Sequence, residues 1–171
     1  LLNFSCLSGE NITKVETGRP LFVRTPHSHM NLANFMLAQL YGCFAPLKIG
    51  MDILVKEEGV QTDVMIAQGG LFKVIGQQVL ADCLGLPITV METAGEGGPW
   101  GMAVLAVFAK WHSSKALADF LDDDVFHNPE SSTLLPTEAG RLGCQKFIAA
   151  YKEGLEVERK AGELIADHAD A

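Results

Sequence analysis

One structural unit occurs twice in succession in this chain, and that repeat limits the fold more than any other feature. Asp63-Val64-Met65-Ile66-Ala67 is a short apolar run ending in Gln68-Gly69-Gly70, and a helical stretch over 72–84 follows and stops at Gly85. Leu86-Pro87-Ile88-Thr89-Val90-Met91 then reads as a second strand, and Gly97-Gly98-Pro99 leads into a helix over 100–111. Strand, helix, strand, helix with short links is the grammar of a parallel sheet layered with helices. Parallel strands are buried on both faces and so read as continuous apolar runs, as both of these do. Pro99 is expected as the first residue of its helix, where a missing N–H does no harm.

Periodicity predicts two longer helices around this pair. From Met30 to Glu58, Leu32, Phe35, Met36, Leu40, Phe44, Leu47, Met51 and Leu54 recur at steps of three and four, the period of a half-buried helix. Pro46 lies inside it and removes a backbone donor, so a kink or break is expected near Gly42 to Pro46, with Gly59 as the stop. Thr137 is the expected N-cap of a last helix over 137–166, with Glu138 in its first turn. Phe147, Ile148, Tyr151 and Leu155 give that helix a narrow apolar stripe, which predicts a surface helix lying along the body. Residues 1–26 read as a loop-rich segment with one short strand, and Asp122 to Pro136 as a polar stretch. Two strands are too few for four helices, because sheets usually carry about 4–6. Strands are therefore expected to be missing, or hidden in 1–26. The chain opens on Leu1 rather than Met with no sustained period, so residues 1–171 are expected to be a single domain and a fragment of a longer protein.

With 171 residues, 48% hydrophobic and 20% charged, the chain has the balance of one folded domain. Net charge is −8, and residues 91–171 hold 14 acidic residues against 7 basic ones. Such a surface repels phosphate backbones, so nucleic acid is not an expected partner. No apolar run reaches the roughly 20 residues of a membrane helix, and the N-terminus lacks the pattern of a signal peptide. No membrane partner and a cytoplasmic location are expected. Cys6, Cys43, Cys83 and Cys144 are widely spaced with no CxxC pair, so neither zinc nor a disulfide framework is expected and the thiols are read as free. His27 and His29 have no third ligand nearby and are read as part of the turn into the first long helix. Asp122-Asp123-Asp124 is read as a solvated turn, not a metal site.

Two glycine turns are the candidates for chemistry. In Ala67-Gln68-Gly69-Gly70-Leu71-Phe72-Lys73 the glycines let the backbone come close to a ligand, and the free amides of the following helix start suit a phosphate. The pattern is neither a Walker A loop nor GxGxxG, and Lys73 is the only cation near it in sequence. A tight turn with close helix packing is the competing explanation. Gly95-Glu96-Gly97-Gly98-Pro99-Trp100-Gly101 follows the neighbouring strand and so falls on the same carboxyl edge, where open parallel sheets bind ligands. Here the competing explanation is that Gly98 and Gly101 only let a helix approach the sheet. Glu92 and Glu96 flank this turn. There is no Gly-x-Ser-x-Gly elbow, Cys-His pairing or obvious carboxylate dyad. The sequence offers a cradle without a catalytic base.

From Ala67 to Lys73, and on through Gly76-Gln77-Gln78-Val79-Leu80-Ala81-Asp82-Cys83-Leu84-Gly85-Leu86-Pro87-Ile88, the chain resembles the C-terminal half of the FGGY carbohydrate kinases. Glu92 and Gly101-Met102-Ala103-Val104-Leu105-Ala106 continue the series. It extends back to Ser8-Gly9-Glu10, with Asn11 where the family has Arg, and forward to Tyr151-Lys152-Glu153-Gly154-Leu155-Glu156-Val157-Glu158. Within the family the chain is most similar to pentulose kinases of the xylulokinase and ribulokinase kind. The resemblance implies an α/β fold, a partial ribonuclease H-like (actin-type ATPase) C-terminal lobe with a short parallel sheet flanked by helices. It also implies an opening three-stranded antiparallel unit that this chain lacks or only partly holds.

The implied reaction is transfer of the ATP γ-phosphate to a ketopentose hydroxyl, with Mg²⁺ on the phosphates and an Asp general base. The resemblance places Gly69 and Gly70 against the nucleotide, with Lys73 and Gln77 toward its adenine side. It assigns the base and most sugar contacts to an N-terminal lobe with no counterpart in this chain, so the chain alone is expected to be inactive. Gln68 stands where the family often has the first of three glycines. That departure and Pro46 motivate a second reading, a non-catalytic interaction module that has lost its nucleotide. A third is an unrelated α/β hydrolase or transferase using Glu92 or Glu96. Exposure of the face that should meet the absent lobe favours self-association as a homo-oligomer.

Overall fold

The computed structural model describes residues 1–70, 75–111, 114–126 and 130–165. The chain divides into two compact units, one formed by Leu1–Thr62, Asp82–Gly85 and the chain from Pro136 onward, the other by Asp63–Ala81 and Leu86–Leu135.

In the first unit, β1 (Leu2–Phe4) and β2 (Leu21–Val23) pair antiparallel, with Leu2 opposite Val23 and Phe4 opposite Leu21. The opening segment thus holds two strands instead of the one expected, each too short for a period of two to register. Helix α1 (Leu32–Lys56) starts at the N-cap Asn31, whose side chain accepts from the Asn34 N–H. It runs unbroken past Pro46, so the expected break does not occur. A mid-helix proline costs about 3 kcal/mol, but Ala38, Tyr41, Gly42, Phe44 and Ala45 around it are all buried, and tertiary burial on that scale outweighs the local defect. Gly42, whose carbonyl loses its Pro46 partner, lies so close to β1 that a Cβ there would fall 2.4 Å from the Asn3 carbonyl oxygen. The helix ends at Lys56 with Glu57 as its C-cap, two residues before the expected stop at Gly59, which sits in the left-handed region at φ +68.

Helix α5 (Glu138–Leu164) begins at Thr137, whose side chain accepts from the Gly140 N–H. Its stripe is the centre of this unit rather than a surface strip. Cys144, Ile148, Tyr151, Leu155 and Glu158 are buried along it, and the Tyr151 ring lies 4.8 Å from Phe4 while Phe147 lies 5.3 Å from Tyr41. The expectation of free thiols fails for one pair. Cys83, in the last turn of α2 (Ile75–Leu84), is disulfide-bonded to Cys144 of α5, whereas Cys6 is free and buried and Cys43 is free and exposed. The partners are 61 residues apart in sequence, a pairing that only the tertiary fold reveals.

Glu158 is fully buried, and one of its oxygens accepts from the Arg19 N–H at 2.7 Å while Oε2 has no hydrogen-bond partner among the described residues. Burial raises its pKa, and the hydrogen bond and charge of Arg19 only partly oppose this. A carboxyl whose folded pKa lies above its unfolded value destabilises the fold on ionising. Stability is therefore greatest below the ordinary value of 4.5 and falls as pH rises through the raised one. Glu158→Gln is expected to remove that fall and to stabilise the chain at neutral pH. Urea midpoints measured from acid to neutral pH check this, and parallel curves for the two proteins would refute it.

In the second unit, β3 (Met65–Ala67), β4 (Ile88–Met91) and β5 (Ser131–Leu134) form one sheet in that order. β3 and β4 are parallel, as the repeat predicts, with Met65 opposite Ile88 and Ala67 opposite Val90. β5 is antiparallel to β4, with Ile88 opposite Leu134, and lies inside the stretch read as merely polar. A 3-10 turn (Glu92–Glu96) leads into α3 (Gly97–Trp111). Pro99 is therefore the third helical residue, not the first, a position still in the turn whose N–H groups have no intrahelical acceptor. Beyond α4 (Leu117–Phe120) a wide π-type turn (Leu121–Val125) contains the aspartate run, and Lys115 bridges Asp123 and Asp124 at 2.9 Å each. Ala67, Val79, Leu80, Ala81, Ile88, Val90 and Phe120 are the buried core. No helix among the described residues is long and apolar enough to cross a membrane.

Candidate functional site

Because β3 and β4 are parallel and in register, their carboxyl ends open on one edge of the second unit's sheet, and each hands the chain to a glycine turn. After β3, Gly69 sits at φ +128, a backbone that a side chain strains. Among the described residues, a Cβ built on Gly70 meets no atom within 4 Å. The same is true of Gly98 and Gly101 at the start of α3. Among the described residues, no close packing requires a glycine at any of these three positions.

Gly97 behaves differently. A Cβ there would fall 2.8 Å from Oε1 of Gln68, and Gln68 Nε2 donates toward the Met91 sulfur at 3.7 Å. The Gln68 side chain thus leans across the strand ends from the first glycine turn to the second, and Gly97 makes room for it.

Gln77 is 4% exposed. Its Nε2 donates to the carbonyls of Ile88 and Ser132 at 2.9 Å each, and its Oε1 accepts from Ser132 Oγ at 3.3 Å. The amide is committed to β4 and β5 and fixes α2 to β4, which carries the second turn, and to its neighbour β5. Lys73 lies outside the described residues. Beside Gln77, Glu92, Glu130, Ser131 and Ser132 line a hollow of about 330 Å³, and the Glu92 N–H donates to the Glu130 carbonyl at 3.0 Å. Sequence reasoning missed Glu130 to Ser132 because β5 went unrecognised. His27 and His29 are exposed in the turn before Asn31, as read from the sequence. Among the described residues no group of three or more His, Cys, Asp or Glu is arranged to hold a metal. The edge offers backbone and open space to a ligand, which suits binding of an anionic group more than acid–base chemistry.

Two parallel strands feeding glycine turns at one sheet edge, with helices around a small mixed sheet, define a C-terminal lobe of the actin-type ATPase class. Structural comparison agrees. The chain is similar to ligand-bound xylulose kinase from Lactobacillus acidophilus, with TM-score 0.72 and 19% identity over 97% of this chain and 33% of that one. It is similar to gluconate kinase from the same organism, with TM-score 0.73 and 18% identity over 97% of this chain and 32% of that one. Xylulose kinase from Rhodospirillum rubrum aligns with TM-score 0.55 and 15% identity over 84% of this chain and 28% of that one. The C-terminal domain of the FGGY family of carbohydrate kinases matches residues 1–110, and the chain belongs to that family. It spans about a third of the length of these kinases. Comparison with curated proteins by sequence gives no match.

Proposed function

We propose that residues 1–171 act as the nucleotide-binding lobe of an FGGY sugar kinase, holding ATP on the edge formed by Gly69 and Gly70 while a second lobe supplies the sugar site and the general base. The observation that carries this reading is that a Cβ on Gly70 meets no atom of the described residues within 4 Å, in a turn that Gly69 holds at φ +128. A cradle that lacks side chains fits a phosphate chain, because phosphoryl transfer depends on positioning and charge stabilisation more than on covalent help from the protein. ATP supplies the transferred phosphoryl group. Gly69 and Gly70 present backbone to it, Gln77 acts by holding α2 against β4 and β5, and Lys73, the cation nearest the turn in sequence, contributes positive charge. Mg²⁺ arrives on the nucleotide phosphates in this reading. The substrate class is a ketopentose, supported by the motif resemblance and by xylulose kinases being among the similar structures, beside a gluconate kinase.

The test is calorimetric titration of the chain with ATP, with and without Mg²⁺. Gly70→Asp puts a carboxylate where a Cβ meets no atom of the described residues within 4 Å, so it is expected to lower ATP affinity at least about tenfold by charge repulsion and to leave the melting curve unchanged. Equal affinity in both proteins, or no binding up to millimolar ATP, would overturn the reading. No sugar-dependent ATP consumption is expected from the chain alone.

A further inference from the structure

The first unit holds a cleft of about 530 Å³ that the kinase reading does not use. Its walls come from α1, the end of α2 and the first turns of α5, and its chemistry is set by Lys48, Lys56, Arg141 and Lys152 with Asp52 as the only acid in the lining. These are four of the 13 basic residues in a chain of net charge −8. Asp52 sits between Lys48 at 2.9 Å and Lys56 at 3.3 Å. Burial raises its pKa, but the hydrogen bonds and charges of the two lysines more than offset this and hold it ionised. Arg141 is gripped by the exposed Glu138 just outside the cleft, through contacts of 3.1 and 2.8 Å, and Lys48 also donates to the Leu84 carbonyl at 3.4 Å. Counting Glu138 against the four cations still leaves the cleft two positive charges in excess, and Lys152 has no ionic partner among the described residues. Concentrating positive charge in one concavity of an acidic protein raises the local concentration of anions. The volume is that of a small-molecule site rather than of an extended polymer track.

We propose that this cleft binds a small phosphorylated molecule, with Lys152 as the ammonium group that has no ionic partner among the described residues, and with Lys56 and Arg141 exchanging their Asp52 and Glu138 contacts for the ligand's oxygens. Guanidinium and ammonium groups form short charge-assisted bonds to phosphate, and the floor is rigid because the Cys83–Cys144 disulfide ties the end of α2 to α5. The cleft lies wholly in the first unit, whereas Gly69 and Gly70 belong to the second, so the two sites can be separated by mutation.

The test is calorimetric titration with inorganic pyrophosphate at low and high salt. The chain is expected to bind it with an affinity that falls as salt rises. Lys152→Gln and Lys56→Gln, both exposed and therefore safe for folding, are each expected to weaken binding several-fold and together at least about tenfold. Lys152→Arg is expected to retain it, and Gly70→Asp to leave it unchanged. Absence of binding at millimolar pyrophosphate overturns the proposal, as does binding that survives the double lysine replacement. Binding lost in Gly70→Asp but kept in the lysine variants assigns the anion to the glycine turn and also overturns it, while leaving the kinase reading intact.

Discussion

Tyr151→Ala is expected to destabilise the first unit by about 4 kcal/mol, the cost of deleting a large buried ring and leaving its cavity. The side chain is fully buried. It stacks on Phe4 of β1 at 4.8 Å and on Phe147 at 6.0 Å, and Phe147 in turn meets Tyr41 of α1 at 5.3 Å. One ring therefore supports the contact of α5 with β1 and, through Phe147, with α1. Since small domains have a net stability of only about 5–15 kcal/mol, the loss leaves little margin. Tyr151→Phe separates ring from hydroxyl. Burial first, then the neighbouring Cys6, raises the phenol's pKa, so it stays neutral, and among the described residues its hydroxyl finds no hydrogen-bond partner of normal geometry, the thiol of Cys6 being only a weak one. The Phe variant is expected within about 1 kcal/mol of the parent. Denaturant unfolding followed by circular dichroism reads both. Equal losses in the two variants would transfer the effect to the hydroxyl and refute the packing argument.

What the sequence discloses about this fold is what is local. The parallel pair Met65–Ala67 and Ile88–Met91 is legible because a strand, a glycine turn and a helix follow one another without interruption, and Gly85 ends α2 at φ +72 as its position implies. β5 is not legible, because Ser131-Ser132-Thr133 has no apolar alternation. Three of its four residues are exposed, and its support comes from across the ladder, as in the 2.8 Å contact between the Thr133 and Thr89 hydroxyls. Helix α3 misleads in another way. It is apolar nearly all round, the mark of a buried helix, yet none of its residues is buried, and Met102 and Trp111 are 69% and 63% exposed. Hydropathy records that a helix needs cover and says nothing about what provides it. At the site, Gly69 and Gly70 can be picked out because a glycine pair at a strand-to-helix turn is a local signal. The structural duty of Gln77 cannot, since its acceptors lie 11 and 55 residues away. The four cations of the basic cleft come from segments about a hundred residues apart, and no window of sequence contains them together.

Opening the Cys83–Cys144 bridge is the other change with a large expected effect, about 4 kcal/mol from the chain entropy restored to an unfolded loop closed by residues 61 apart. The native fold is expected to stay in place when the bond is cut. Asp82, next to Cys83, accepts from both the N–H and the hydroxyl of Thr137 at 2.6 and 3.1 Å, which anchors the start of α5 to the end of α2 independently of the sulfurs. Reduction should therefore lower the urea midpoint with little change in the far-ultraviolet spectrum, and Cys144→Ala should reproduce the shift without reductant. Thiol titration of the unfolded, unreduced chain is expected to count two groups, Cys6 and Cys43, and four after reduction. Four thiols before reduction would mean the bridge does not form, and an unchanged midpoint after it would mean that the entropy model fails here. If the protein works in the cytoplasm, the thiol buffer favours the reduced form unless the fold holds the bond strongly. The stability measured in dithiothreitol is then the working value, and the anchoring falls to Asp82 and Thr137.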